Sequence, residues 1–105
     1  MFGIFKNLFG AGNAQLAEVI KEGAFLVDVR SPREFAGGSV KGAVNIPLDK
    51  LPSQLSKFKD KKHVVVFCQS GMRSSQAKNV LQQGGIENVY NGGSWYSVRE
   101  LVSGK

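Results

Sequence analysis

Apolar and polar positions alternate between two rhythms along the chain. Val64 to Phe67 is continuously apolar rather than alternating, the pattern of a parallel strand covered on both faces. Ala24-Phe25-Leu26-Val27 is a second short apolar run, closed by Asp28. Between and around these runs the period lengthens. Leu16, Ala17 and Ile20 share one face of a helical segment that Asn13 caps and Gly23 stops. Ser31 followed by Pro32, with Glu34 three residues on, is a capping-box pattern and predicts a helical turn after the first strand. Ala43 to Ile46 reads as a brief extended piece before Pro47, and Pro52 as the entry to a short helix carrying Leu55 and Phe58. A helix is predicted over 75–83 on the stripe Ala77, Val80 and Leu81, ended by Gly84-Gly85. Ile86 to Tyr90 then predicts a last short strand, and Trp95 to Val102 a final aromatic and aliphatic docking segment. Strand and helix in turn imply an α/β domain with a central parallel sheet and helices on its faces. In such a sheet the pocket lies beyond the carboxyl ends of the strands.

Composition narrows this picture. A chain of 105 residues, 42% hydrophobic, supports one core and not two. We divide it into a short apolar leader, 1–12, and a domain, 13–105. The leader sets Phe2, Ile4, Phe5, Leu8 and Phe9 among Gly3, Lys6 and Asn7. It is too short and too interrupted for a secretion signal or a membrane span, so docking onto the domain or a partner is its expected role, and membrane contact is not expected. The formal net charge of +6 is densest at Lys57, Lys59, Lys61 and Lys62. Asp60 interrupts that cluster and no stacking series accompanies it, so a nucleic-acid partner is not expected. The excess charge instead favours anionic substrates or an acidic partner.

Candidate chemistry centres on the one cysteine, Cys68, which ends the Val64–Phe67 run. A lone cysteine beside a buried strand is often a small hydrophobe. The next residues, Gln69, Ser70, Gly71, Met72, Arg73 and Ser74, are too polar to extend the core, and a helix follows them. Backbone N–H groups and the positive helix end then converge on the sulfur and favour a thiolate. Arg73 carries a permanent charge and several rigid donors for an oxyanion. Asp28 and Arg30 belong to the same rim, as pocket support; the plainer alternative pairs Arg30 with Glu34 on the surface. His63, the chain's one histidine, directly precedes Val64 and reads as a strand-edge residue rather than a base. One cysteine also excludes an internal disulfide and a cysteine-rich metal site.

These residues resemble the rhodanese family, specifically its small single-domain sulfurtransferases. The blocks that carry the resemblance are Leu26-Val27-Asp28-Val29-Arg30, Glu34-Phe35, Gly42-Ala43-Val44-Asn45-Ile46-Pro47, Cys68 to Ser74, and Asn88-Val89-Tyr90-Asn91-Gly92-Gly93 before Trp95. The resemblance implies a rhodanese-like domain in which Cys68 is the sulfur-carrying nucleophile. Gln69, Ser70, Gly71, Met72 and Arg73 would form its substrate-binding loop, with Ser74 in support. Cys68 would take sulfur from thiosulfate or a related anionic donor as a persulfide and pass it to a thiol or cyanide, with no cofactor and no metal. Related cysteine phosphatases carry a longer loop than the four residues that Cys68 and Arg73 enclose here, so sulfur transfer is favoured over phosphate transfer. One departure stands out: Gly38 occupies a position where the family commonly has histidine. A partner-specific sulfur carrier or rhodanese-like binding module is the alternative, with a thioredoxin-like or other carrier protein as acceptor. The expected state is a cytoplasmic monomer.

Overall fold

The computed structural model describes residues 14–104; the leader, and Asn13 as a helix cap, lie outside the described residues. Helix α1 covers residues 14–21. Strand β1 (Phe25–Asp28), helix α2 (Pro32–Ala36) and strand β2 (Val44–Asn45) follow, then two 3-10 turns, Leu48–Ser53 and Leu55–Phe58. Strand β3 (Val64–Cys68), helix α3 (Met72–Gln83), strand β4 (Val89–Ser94) and helix α4 (Trp95–Ser103) complete the order. The four strands lie in the order β2-β1-β3-β4, every pairing parallel.

The apolar run at 64–68 is the centre of the molecule because all five of its residues are buried. Successive side chains of a strand point to opposite faces. Val64, Val66 and Cys68 pack on one face with Leu51, Phe58, Ala77 and Leu81, so α3 and the 3-10 turns cover that side. Val65 and Phe67 pack on the other with Val19, Ile20, Trp95 and Val98, so α1 and α4 cover the second. The capping box is formed as predicted: Ser31 Oγ accepts from Glu34 N, and the Glu34 carboxylate accepts from Ser31 N.

Three predicted elements differ. Helix α3 starts at Met72, not Ser75, because Gly71 with φ of 103° turns the chain directly into the helix. Pro52 lies inside a first 3-10 turn instead of opening the short helix, and Leu55 and Phe58 belong to a second turn. The last strand runs Val89–Ser94 instead of 86–90. Ile86 is a buried plug in the connection, its N–H on Leu81 O. Asn91, Gly92 and Gly93, which carry no strand propensity, are strand because β3 supplies a paired edge. Gly92 is the extra residue where the register slips, between the pairs Val66↔Asn91 and Phe67↔Gly93. A Cβ there would stand 2.6 Å from Val98 Cγ2, so α4 reaches β4 only because residue 92 has no side chain. Among the described residues no helix is long and apolar enough to cross a membrane.

Candidate active site

Cys68 is the last residue of β3 and is 1% exposed. Its sulfur accepts hydrogen bonds from Gly71 N at 3.0 Å and Ser74 N at 3.4 Å, and lies 3.5 Å from Ser74 Oγ. The left-handed conformation of Gly71 points its amide back at the sulfur; a residue with a side chain is strained there. Ser74 stands in the first turn of α3, so its amide is one of the donors that a helix leaves unpaired. Burial pushes the thiol up. The Ser74 hydroxyl and the Ser74, Gly71 and Ser70 amides together outweigh it, and the thiol titrates below its usual value. These contacts thus favour the thiolate more than water does for a free cysteine.

The loop residues divide by exposure. Gln69 and Ser70 face solvent, Gly71 is half-buried, and Met72 is 74% exposed at the start of α3. Gln69 Oε1 is 3.4 Å from Trp95 Nε1, which ties the loop to the start of α4. Arg73 is not open as expected for an anion clamp: Nη1 and Nη2 donate to the two Glu34 carboxylate oxygens at 2.7 and 3.0 Å. This pairing holds the Glu34 carboxyl down to about 2, with the Ser31 amide contributing after the Arg73 side chain.

Asp28 and Arg30 form a buried pair at the end of β1. Arg30 Nε donates to Asp28 Oδ1 at 2.9 Å and Nη2 to Oδ2 at 2.7 Å. Ser39 Oγ donates to Asp28 Oδ2 at 2.6 Å and Arg30 Nη2 to Gly38 O at 2.6 Å. The surface pairing of Arg30 with Glu34 is therefore corrected: Glu34 is taken by Arg73, and Arg30 is 3% exposed. Arg30 also lies over the Trp95 ring, 5.0 Å from its centroid, so it touches the loop through Trp95 and Gln69. Gly38 has φ of 146°, and a Cβ on it would sit 3.4 Å from Trp95 Cη2. A histidine there would be strained and would meet the indole.

His63 pairs with Glu22 at 3.0 Å just before β3, the end opposite Cys68, about 16 Å away at the usual rise per strand residue. It is no base for this cysteine. Among the described residues no three His, Cys, Asp or Glu side chains gather as a metal site. Two contributors escaped the sequence reading. Glu34 was legible only as a helix cap. Asn91 Oδ1 accepts from Ser74 Oγ at 2.7 Å and Gly93 N at 2.9 Å; an Asn two residues before a glycine is the signal for such a side-chain turn.

The profile described as Rhodanese-like domain matches residues 12–98. The chain is 39% identical over 70 residues to a protein named Sulfurtransferase from Allochromatium vinosum, covering 67% of this chain and 65% of that protein. It is 36% identical to Thiosulfate sulfurtransferase PspE of Escherichia coli, covering 64% and 66%. An uncharacterized Bacillus subtilis protein, YqhL, is 41% identical over 65% of this chain and 54% of its own. The chain thus spans between about half and two thirds of these relatives. The solved structure of the human single-domain sulfurtransferase TSTD1 superposes with a TM-score of 0.70 at 32% identity, over 83% of this chain and 91% of that one.

Proposed function

Since the chain belongs to the rhodanese family of sulfurtransferases, we propose that it moves sulfane sulfur from thiosulfate or a related donor to a thiol or cyanide through a persulfide on Cys68. The observation that carries this reading is the convergence of the Gly71 and Ser74 amides on the Cys68 sulfur. The thiolate attacks the outer sulfur of the donor; the donor's S–S bond breaks and sulfite leaves with the electron pair. The acceptor thiolate or cyanide then attacks the outer sulfur of the persulfide, and Cys68 leaves as a thiolate. Neither step requires protonation of a leaving group, which agrees with a site whose nearest groups are amides and a hydroxyl. Gln69, Ser70, Gly71, Met72 and Arg73 form the donor-binding loop in this reading, with Ser74, Asp28 and Arg30 behind them. Arg73 contributes charge, which Glu34 offsets until the anion draws on it.

The partner-specific carrier is the second reading, favoured by Met72: an apolar side chain 74% exposed at the end of the loop that follows Cys68 suits a protein acceptor such as a thioredoxin-like carrier. We place the reaction in the cytoplasm, in a monomer. The test is the mass of the reduced protein before and after brief exposure to thiosulfate, with Cys68→Ser in parallel. One sulfur added to the wild type, absent from the folded variant and released by a thiol over repeated cycles, is the expected result. Loading of Cys68→Ser defeats the assignment, and loading that discharges only to a protein favours the carrier.

A further inference from the structure

Ser74 Oγ has one proton and three polar neighbours. Asn91 Oδ1 is 2.7 Å away, Gly71 O 3.0 Å and Cys68 Sγ 3.5 Å. Gly71 O only accepts. The orientation of the Asn91 amide is fixed as well, because Gly93 N–H donates to the same Oδ1 at 2.9 Å, and an amide nitrogen would not accept it. Two acceptors therefore compete with the sulfur for one hydroxyl proton in a site where Ser74 is fully buried. While Cys68 is a thiol, its S–H donates to Ser74 Oγ and the hydroxyl donates onward. When Cys68 is a thiolate it only accepts, and the hydroxyl has to turn to it.

We propose that Asn91 is a positioning residue for the Cys68 nucleophile: its Oδ1 is the resting station of the Ser74 proton, which faces sulfur in the thiolate and returns to Asn91 in the thiol and the persulfide. In the persulfide the charge sits on the outer sulfur, so Cys68 Sγ becomes a weak acceptor and releases the hydroxyl. Asn91 keeps its Gly93 bond throughout, so β4 holds still while one O–H rotates. Asn91 thus weakens the hydroxyl donor to the thiolate and tunes how readily the thiolate forms and departs. The inference rests on Cys68 being the nucleophile proposed above.

Charged groups around the sulfur are the same in every state. Arg73 of α3 acts on Cys68 through its charge and is paired with Glu34 of α2. Asp28 and Arg30 at the end of β1 neutralise each other. These fields are the same in the wild type and in Asn91→Ala, so comparing those two isolates the hydroxyl; Asn91→Asp adds a charge of its own, and only the part of its shift that disappears without Ser74 reads the hydroxyl.

The experiment is the pH profile of Cys68 alkylation by iodoacetamide, which reports a single site because the chain has one cysteine. It reads the thiol whether or not the protein loads sulfur, so failure of this inference and failure of sulfur transfer are separate results. Ser74→Ala is expected to move the midpoint up. Asn91→Ala is expected to move it down, with alkylation below the midpoint about threefold faster, as half a pH unit corresponds to about threefold in thiolate. In the Ser74→Ala background the Asn91→Ala shift should vanish. Asn91→Asp, which keeps the shape and the Gly93 bond, should slow alkylation about tenfold, and by less when Ser74 is absent; it serves if Asn91→Ala does not fold. An upward shift for Asn91→Ala, or a shift at either variant that is unchanged without Ser74, overturns the proposal and leaves Asn91 a packing residue.

Discussion

Glu34→Gln separates the charge of the Glu34–Arg73 bridge from its shape. Glutamine still serves at the third position of a capping box, so the contact with Ser31 survives while the charge goes. The Glu34 carboxyl titrates at about 2 against the usual 4.5, which at full value corresponds to about 3 kcal/mol of native-state stability. The side chains of Arg73 and Glu34 are 38% and 33% exposed, and solvent screening reduces that to about 1 kcal/mol. The folded-state midpoint is depressed, so the contribution is complete above pH 4.5 and is lost as pH falls through about 2. At pH 7 the variant is expected to melt about 5 °C below the wild type, given about 4–8 °C per kcal/mol for a domain of this size. The assay is thermal unfolding followed by circular dichroism from pH 7 down to pH 2.5. The gap should narrow steadily below pH 4.5. A gap that stays constant across the range refutes the ionic account, and no gap at pH 7 means that the bridge contributes nothing to the fold.

The remaining expectations concern the loop and its supports. Arg73→Ala should raise KM for thiosulfate several-fold and also lower stability by about 1 kcal/mol, since Glu34 loses its partner; steady-state kinetics paired with melts check both, and unchanged KM reassigns Arg73 to support. Gly71→Ala places a side chain at φ of 103°, a strain of about 1–2 kcal/mol. Its relief turns the amide from the sulfur, so Cys68 alkylation at neutral pH should slow, and an unaltered rate would remove that amide from the cradle. Gly92→Ala drives a Cβ to within 2.6 Å of Val98 Cγ2 and 3.0 Å of Val65 Cγ1. Overpacking of this kind costs about 1–3 kcal/mol, measured by urea unfolding, and wild-type stability would show that α4 slides freely on β4.

Glu34 shows how one side chain serves two levels of structure. Its Oε1 accepts from Ser31 N at 3.0 Å and Arg73 Nη1 at 2.7 Å. The cap that starts α2 is therefore also the anchor of Arg73, 39 residues away in sequence at the end of the Cys68 loop. Local pattern reveals the first role because both capping partners lie within one turn. The second depends on where β1 and β3 set their loops.

The α/β architecture, the placing of Cys68 at the end of a buried strand and the helix behind it were legible in the sequence, because each depends on residues close together along the chain. A continuous apolar run is a doubly covered strand wherever it occurs, and a polar glycine loop between Cys68 and a helix gathers amides by local geometry alone. Tertiary structure alone decided the partners. Parallel pairing of β1, β3 and β4 brings their carboxyl-end segments together, which assigns Arg73 to Glu34 and sets Asn91 against Ser74. It also makes strand of Asn91-Gly92-Gly93, whose own propensity opposes it, because unpaired backbone groups beside β3 would cost more than ordering two glycines. The placement of Trp95 against Gly38 is of the same kind: a close packing contact between distant segments, set by the shape of the assembled core.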